Sequence, residues 1–282
     1  MRPLFVIFAQ DPPRLGQIHG DDRQLVLMAL IDQTSADISR WAEMIAAALK
    51  ERGYGGGGVM LAIPSQWCMC AAIPIADLPK RNRRQLMIYR LEEQLPVAAE
   101  ELVIDFSLAG EQALGVCADV ARLRPWVDSL ESQGVAVHSV VPVALLAAAA
   151  MNARSADILL LGESTGIEVL TRESGQVIGW TTESDIEAVG IQLRRLALLA
   201  SGPLTVVARG LDDKAIEILT NRTGIEISNA ETANPNIALE RFQFSYSARH
   251  YFLIGSVPER RSGWSRIQRI CVGGYWPIAT RE

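Results

Sequence analysis

Histidine and cysteine are scarce in this chain, three and four among 282 residues. His19, His138 and His250 stand far apart, so no histidine pair offers itself as an acid–base or metal centre. His138 alternates with Val137 and Val140 in a strand-like run, which reads as a structural position. Cys68, Cys70, Cys117 and Cys271 lie in apolar surroundings with no C-x-x-C pair and no adjacent histidine. That pattern fits buried thiols in a reducing compartment, not a metal site, and Cys68-Met69-Cys70 would place both thiols on one face of a strand. A G-x-S-x-G elbow is absent. The four glycines at 55–58 lack the Lys-Ser/Thr of a phosphate loop and precede a strand pattern, so they read as a connector.

Long hydrophobic runs are missing as well. Residues 4–9 are too short for a secretion signal and lead into Asp11, Pro12, Pro13 and Arg14. The longest apolar run, residues 140–151, contains Pro142 and falls short of the roughly 18 residues that span a bilayer. The chain is expected to remain on the cytoplasmic side without a span of its own. A formal charge of −5 withholds the basic field that nucleic acid binding over the whole surface requires, so no nucleic acid partner is expected.

What is present is a chain 49% hydrophobic and 21% charged, enough apolar material for two ordinary cores. Its organising stretch is residues 80–108, KRNRRQLMIYRLEEQLPVAAEELVIDFSL. Ile88, Leu91 and Leu95 recur on one helix face with Leu86 and Met87 on its border. Asp77 suits an N-cap, Pro79 a first turn and Pro96 a stop, which predicts a helix of about four turns. From Leu91 to Ala121 there are seven acids and no Lys or Arg, an acidic flank beside a basic cap. Such a surface suits docking, or a solvated helix and loop.

Around this hub the chain alternates strand and helix. Residues 3–8 and 24–31 read as strands, and Ile38, Trp41, Ile45 and Leu49 as a helix after a Ser35 cap, closed by Gly53. Residues 59–63 and 67–73 are proline-ended strands; 103–108 and 113–118 form a hairpin over Ala109-Gly110. Pro125 is expected to start a helix faced by Trp126, Val127 and Leu130, followed by a strand at 135–141 and an alanine-rich helix from Pro142. From Arg154 the opening pattern returns. Strands at 157–161, 167–171 and 177–180 form a meander, then come a helix on Ile186, Val189 and Leu193, a strand at 204–208, a helix on Ala215 and Leu219, and a strand at 225–227. Three strands, helix, strand, helix, strand is thus met twice, with no sequence repeat beneath it. At the C-terminal end Arg260, Arg261, Trp264, Arg266 and Arg269 suit a lipid headgroup surface, or equally a solvated end.

That doubled order is the order of the actin-like, ribonuclease-H-like fold, and a more specific match sits in AIPIADLPKRNRRQLMIYRLEEQLPVAAEELVIDFSL and ALGVCADVARLRPWVDSLESQGVAVHSVVPVALL. These stretches resemble the cytoplasmic domain of the type II secretion protein L family (GspL) and its pilus relative PilM. RFQFSYSARHYFLIGSVPERRSGWSRIQR resembles the L protein's juxtamembrane stretch. The resemblance implies an α/β actin-like ATPase fold of two related halves with mixed sheets: 1–154 carrying an inserted subdomain at about 65–120, then 155–240, then a juxtamembrane-like tail at 241–282. It further implies a scaffold on the cytoplasmic side of the inner membrane that docks a secretion or pilus assembly ATPase, meets other inner-membrane platform proteins and forms a homodimer. The polar side of the hub helix, Arg83, Arg84, Tyr89, Glu92 and Glu93, is the expected docking contact. No membrane helix follows Arg269 in this sequence, which is where it departs from the L protein; the expectation is either the cytoplasmic part of a longer membrane protein or a peripheral chain whose anchor a partner supplies.

Actin-like ATPases grip phosphates with two glycine-bearing turns, because backbone N–H groups must approach oxygen and a carboxylate must hold magnesium. At the first turn Asp11 is followed by Pro12 and Pro13, which have no N–H to offer. At the second, Leu161 stands where an aspartate is expected, although Gly162, Glu163, Ser164, Thr165 and Gly166 keep the turn. Near the adenosine, the family's glycines shrink to Gly210 in Ala208-Arg209-Gly210. The expectation is a degenerate, non-catalytic fold with no cofactor; the alternative is a PilM-like or sugar-kinase-like protein that binds ATP.

Overall fold

The computed structural model describes residues 4–9, 14–19, 24–30, 37–56, 58–150, 156–163, 166–230 and 241–243. The chain opens with an antiparallel meander, β1 (Leu4–Phe8), β2 (Arg14–His19) and β3 (Gln24–Leu30). Helix α1 (Ile38–Glu51) then returns it to β4 (Val59–Ile63), parallel to β1. A separate antiparallel sheet follows, built from β5 (Cys68–Pro74), β6 (Leu102–Ala109) and β7 (Gln112–Asp119) in the order β5-β7-β6, with α2 (Arg83–Glu92) between β5 and β6. Helix α3 (Val120–Ser132) leads back to β8 (Val137–Pro142), parallel to β4, and α4 (Val143–Ala150) closes the first half. The second half runs β9 (Ile158–Glu163), β10 (Gly166–Glu173), β11 (Gln176–Glu183), α5 (Ile186–Leu199), β12 (Val206–Arg209), α6 (Asp213–Thr223) and β13 (Ile227–Asn229). A last strand, β14 (Arg241–Gln243), pairs with the outer edge of β3.

The two large sheets repeat one order. In the first it is β3-β2-β1-β4-β8, in the second β11-β10-β9-β12-β13, and the small sheet is spliced between β4 and α3. Each strand of β9 type reads as a continuous apolar run because both faces are covered. Ile158 and Leu160 face a core under α5 and α6, while Leu159 and Leu161 face a central core shared with β1, α1, β4 and α3. Each fully buried side chain of this kind contributes about 1.5–3 kcal/mol. Three tryptophans tie α1 and α3 to the start of the small sheet: the Trp41 and Trp126 rings meet edge-on at 4.7 Å, and Trp67 lies 5.2 Å from Trp126. The third core, between α2 and the small sheet, centres on Met87, Leu91, Ile104 and Phe106.

Caps explain where several elements depart from expectation. Residue 35 lies outside the described residues, and α1 is capped by Asp37, which accepts from the Ser39 N–H at 2.9 Å. Helix α3 starts at Val120 and not at Pro125, because the Asp119 carboxylate accepts from Ala121 N–H at 2.6 Å and an apolar stripe from Val120 through Leu130 is already in phase. Pro125 therefore sits inside the helix, where it forgoes one bond to the Ala121 carbonyl. The hub helix is shorter than four turns. Asp77 is spent in a forked pair with Arg90, so the chain turns instead at Asn82, held in the left-handed region at φ 56°, and α2 begins at Arg83. Residues 14–19, which the hydrophobic pattern leaves unassigned, form β2.

Candidate functional site

Two hairpin ends carry the sequence-predicted nucleotide turns. The first joins β1 to β2; Asp11, Pro12 and Pro13 lie outside the described residues, and Arg14 opens β2 opposite Phe8. The second joins β9 to β10, where Glu163 pairs with Gly166. Ser164 and Thr165 lie outside the described residues. Gly162 and Gly210 pass so closely that a Cβ at Gly162 would strike the Gly210 carbonyl oxygen, and Gly166, at φ 151°, lies under the Glu183 carbonyl. Leu161 is 3% exposed and packs into the central core.

Around the second turn the chain gathers acid. Glu168 on β10 is buried, accepting from the indole N–H of Trp180 and, at 2.8 Å, from the Thr182 hydroxyl. Burial first, then the neighbouring Glu168, pushes the Glu163 carboxyl above its ordinary range, with Arg14 pulling the other way. Arg14 thus brings the first hairpin's charge to the second hairpin's stem, and its Nε is buried with no hydrogen-bond partner among the described residues. Glu163 and the buried Glu168 thus act on one another beside a single guanidinium, that of Arg14. Among the described residues, no three His, Cys, Asp or Glu side chains cluster as a metal site. Glu168 was missed in sequence. Its signal was a glutamate alternating with buried Ile167, Val169 and Leu170 in a strand covered on both faces.

The thiols are structural. Cys70 donates to the Trp180 carbonyl at 3.1 Å, fastening β5 to β11, and Cys117 donates to Met69 O at 3.3 Å. Burial holds Cys68 well above the ordinary thiol range and pushes Cys70 and Cys117 to about 12, so all three stay protonated. Cys68 and Cys70 keep partial exposure where full burial was expected, because β5 lies on the rim of the central core. Cys271 lies outside the described residues.

On α2 the predicted contact residues divide. Arg83 donates to the Ile75 carbonyl at 2.9 Å. Arg84 bonds Asp105 at 3.0 Å and the Ile104 carbonyl at 2.8 Å while lying over the Phe106 ring. Glu92 accepts from Ala99 N–H at 3.0 Å, tying the helix end to the next segment. Tyr89, 52% exposed, and Glu93 face outward, with Gln85 donating to the Tyr89 hydroxyl at 2.9 Å. Arg260, Arg261, Trp264, Arg266 and Arg269 lie outside the described residues. No helix among the described residues is long and apolar enough to cross a membrane.

The doubled strand order with a hairpin at the head of each half defines the class: the chain has the actin-like ATPase fold. Three solved structures share it over most of the chain. One is a chain of the PilM–PilN type IV pilus biogenesis complex, with TM-score 0.61 and 13% identity over 83% of this chain and 91% of that one. Another is the cytoplasmic domain of EpsL, an inner membrane component of the Vibrio cholerae type II secretion system, with TM-score 0.53 and 14% identity over 82% and 98%. The third is a Bacteroides thetaiotaomicron protein of actin-like ATPase fold and unknown function, with TM-score 0.52 and 13% identity over 82% and 92%. No protein-family model and no curated protein matches the chain.

Proposed function

We propose that this chain is a non-catalytic scaffold of a type II secretion or type IV pilus assembly platform, placed at the cytoplasmic face of the inner membrane and docking the assembly ATPase. The observation that carries the non-catalytic part is Leu161. Where this fold needs a carboxylate for magnesium, the chain buries an apolar side chain in its central core. Support for the partner class comes from the shared fold: one such structure is a pilus biogenesis complex and another belongs to an inner membrane component of a secretion system.

The docking surface in this reading is the outer side of α2. Arg83, Arg84 and Glu92 brace it against β6 and the segments flanking the small sheet, which leaves Tyr89 and Glu93 to meet a partner. An exposed tyrosine on a braced helix is the kind of anchor that dominates interfaces, worth ~2 kcal/mol or more. Capture of a type II secretion or type IV pilus assembly ATPase by Tyr89→Ala/Glu93→Lys, compared with the parent chain, tests the reading. Affinity should fall tenfold or more, by roughly that anchor energy. Undiminished capture by a folded variant rejects this surface.

A further inference from the structure

Among the described residues, three of the five large hydrophobic side chains that stand exposed lie on one helix: Ile191 at 57%, Leu198 at 86% and Leu199 at 77%, all on α5. Val189 and Leu193 occupy its opposite side and fill the core over β9 and β10. At about 3.6 residues per turn, Ile191 and Leu198 share one outward line about 10.5 Å long, with Arg194 on one side of it and Arg195 on the other. Both arginines are exposed, and neither has a hydrogen-bond or ion-pair partner among the described residues. From Ala188 to Leu211 the chain carries three arginines and no acid, in a sequence of net charge −5.

Leu198 and Leu199 are consecutive, so their side chains diverge by about 100° around the axis and straddle the last turn of the helix. The segment that follows, Ser201, Gly202 and Pro203, is exposed and uncharged. A partner's groove would take the line of Ile191 and Leu198 and leave Leu199 outside it, because such grooves seat side chains that share a face. A fluid acyl layer asks for no matching shape. Arginines on both flanks can meet its phosphates while their apolar stems stay beside the leucines. The other end of the face is different: Glu187, about 16.5 Å along the axis from Leu198, lies 3.8 Å from Arg222, so the basic field belongs to the C-terminal end alone. The carboxylate of Asp157, just before β9, is engaged by the Thr205 N–H at 2.8 Å.

We infer that the C-terminal end of α5 is a lipid-contact site, at which Leu198 and Leu199 enter the acyl boundary of an anionic membrane and Arg194 and Arg195 meet its phosphates. The scaffold reading puts the chain at a membrane without assigning any described residue to lipid. This inference rests on that reading only for the presence of the membrane, and it names the residues that touch it.

Flotation of the full chain with phosphatidylcholine vesicles containing about 30% phosphatidylglycerol should recover protein with the lipid, and pure phosphatidylcholine should recover at least about tenfold less. Arg194→Gln/Arg195→Gln and Leu198→Ser/Leu199→Ser should each weaken binding to the anionic vesicles at least about tenfold. An environment-sensitive fluorophore on Leu198→Cys/Cys271→Ser should shift to the blue on those vesicles, and the same label on Glu187→Cys/Cys271→Ser should not. The protonated thiols of Cys68, Cys70 and Cys117 are slow to take the label. All the substituted α5 positions are exposed, which keeps these variants folded, as circular dichroism checks. A chain that does not float overturns the inference. So does a label at 198 that stays in water, or binding that both double variants leave intact, the result expected if the stretch from Arg260 to Arg269 alone holds lipid. Loss of ATPase capture by Leu198→Ser/Leu199→Ser with flotation intact assigns this end of α5 to a protein and overturns it as well. Flotation that depends on these four side chains supports the inference even where ATPase capture fails, so the two readings fail separately.

Discussion

The indole of Trp180 on β11 and the hydroxyl of Thr182 on the same strand both donate to one oxygen of Glu168 on β10. A buried carboxylate beside a nearly closed core survives only with donors of this kind, since an unmet buried acceptor costs more than its bond contributes. Trp180→Phe preserves most of the ring volume and removes one donor. It should lower unfolding free energy by about 1–3 kcal/mol in a urea titration. Glu168→Gln/Trp180→Phe should lose less than the two single losses together, because both act on one bond.

Gly162 tests the close passage of β9 and β12. An added Cβ meets the Gly210 backbone, which cannot swing aside as a side chain can. Gly162→Ala should cost about 1–3 kcal/mol as an overpacked contact, read from the thermal midpoint. Gly55→Ala, where nothing lies within 4 Å, is the neutral comparison.

Much of this architecture was legible because strands buried on both faces announce themselves: residues 59–63 reproduce β4 in full, and the doubled order of elements predicted the doubled sheet. What escaped is what depends on distant partners. Asp77 looks like a cap until Arg90 is brought back across the turn to claim it. Arg83 and Arg84 look like an open basic patch until β6 and the chain after β5 take their guanidinium groups. Glu168 shows no local sign that a tryptophan twelve residues on will satisfy it. β2 was hidden because Arg14, Gly16 and Gln17 break the apolar alternation of a strand held in place by pairing on both sides.

Two groups give pH dependences of opposite sign. Burial raises the Glu163 carboxyl above its reference of 4.5, so its contribution to stability is present below that value and fades as pH rises through the folded-state value. Burial lowers His138 below its reference of 6.5, so its contribution is present above 6.5 and fades as pH falls through the folded-state value. Thermal midpoints measured from about pH 4 to pH 8 should show Glu163→Gln gaining on the parent chain toward neutral pH, and His138→Gln flattening the acid limb.

The nucleotide question turns on whether a polar turn without its acids still holds phosphate. The side chain of Leu161 offers no oxygen to magnesium, and Glu163 adds an acid beside the turn where a phosphate would need a cation. Calorimetric titration with magnesium-ATP should therefore give only dilution heats. The thermal midpoint should likewise stay put at millimolar nucleotide, whereas a ligand at about one hundred times its dissociation constant would add about 2.7 kcal/mol. If magnesium-ATP raises the midpoint by several degrees and AMP does not, the second turn grips a triphosphate after all. Repeating the titration with Glu163→Gln then shows whether the carboxyl was what held affinity down.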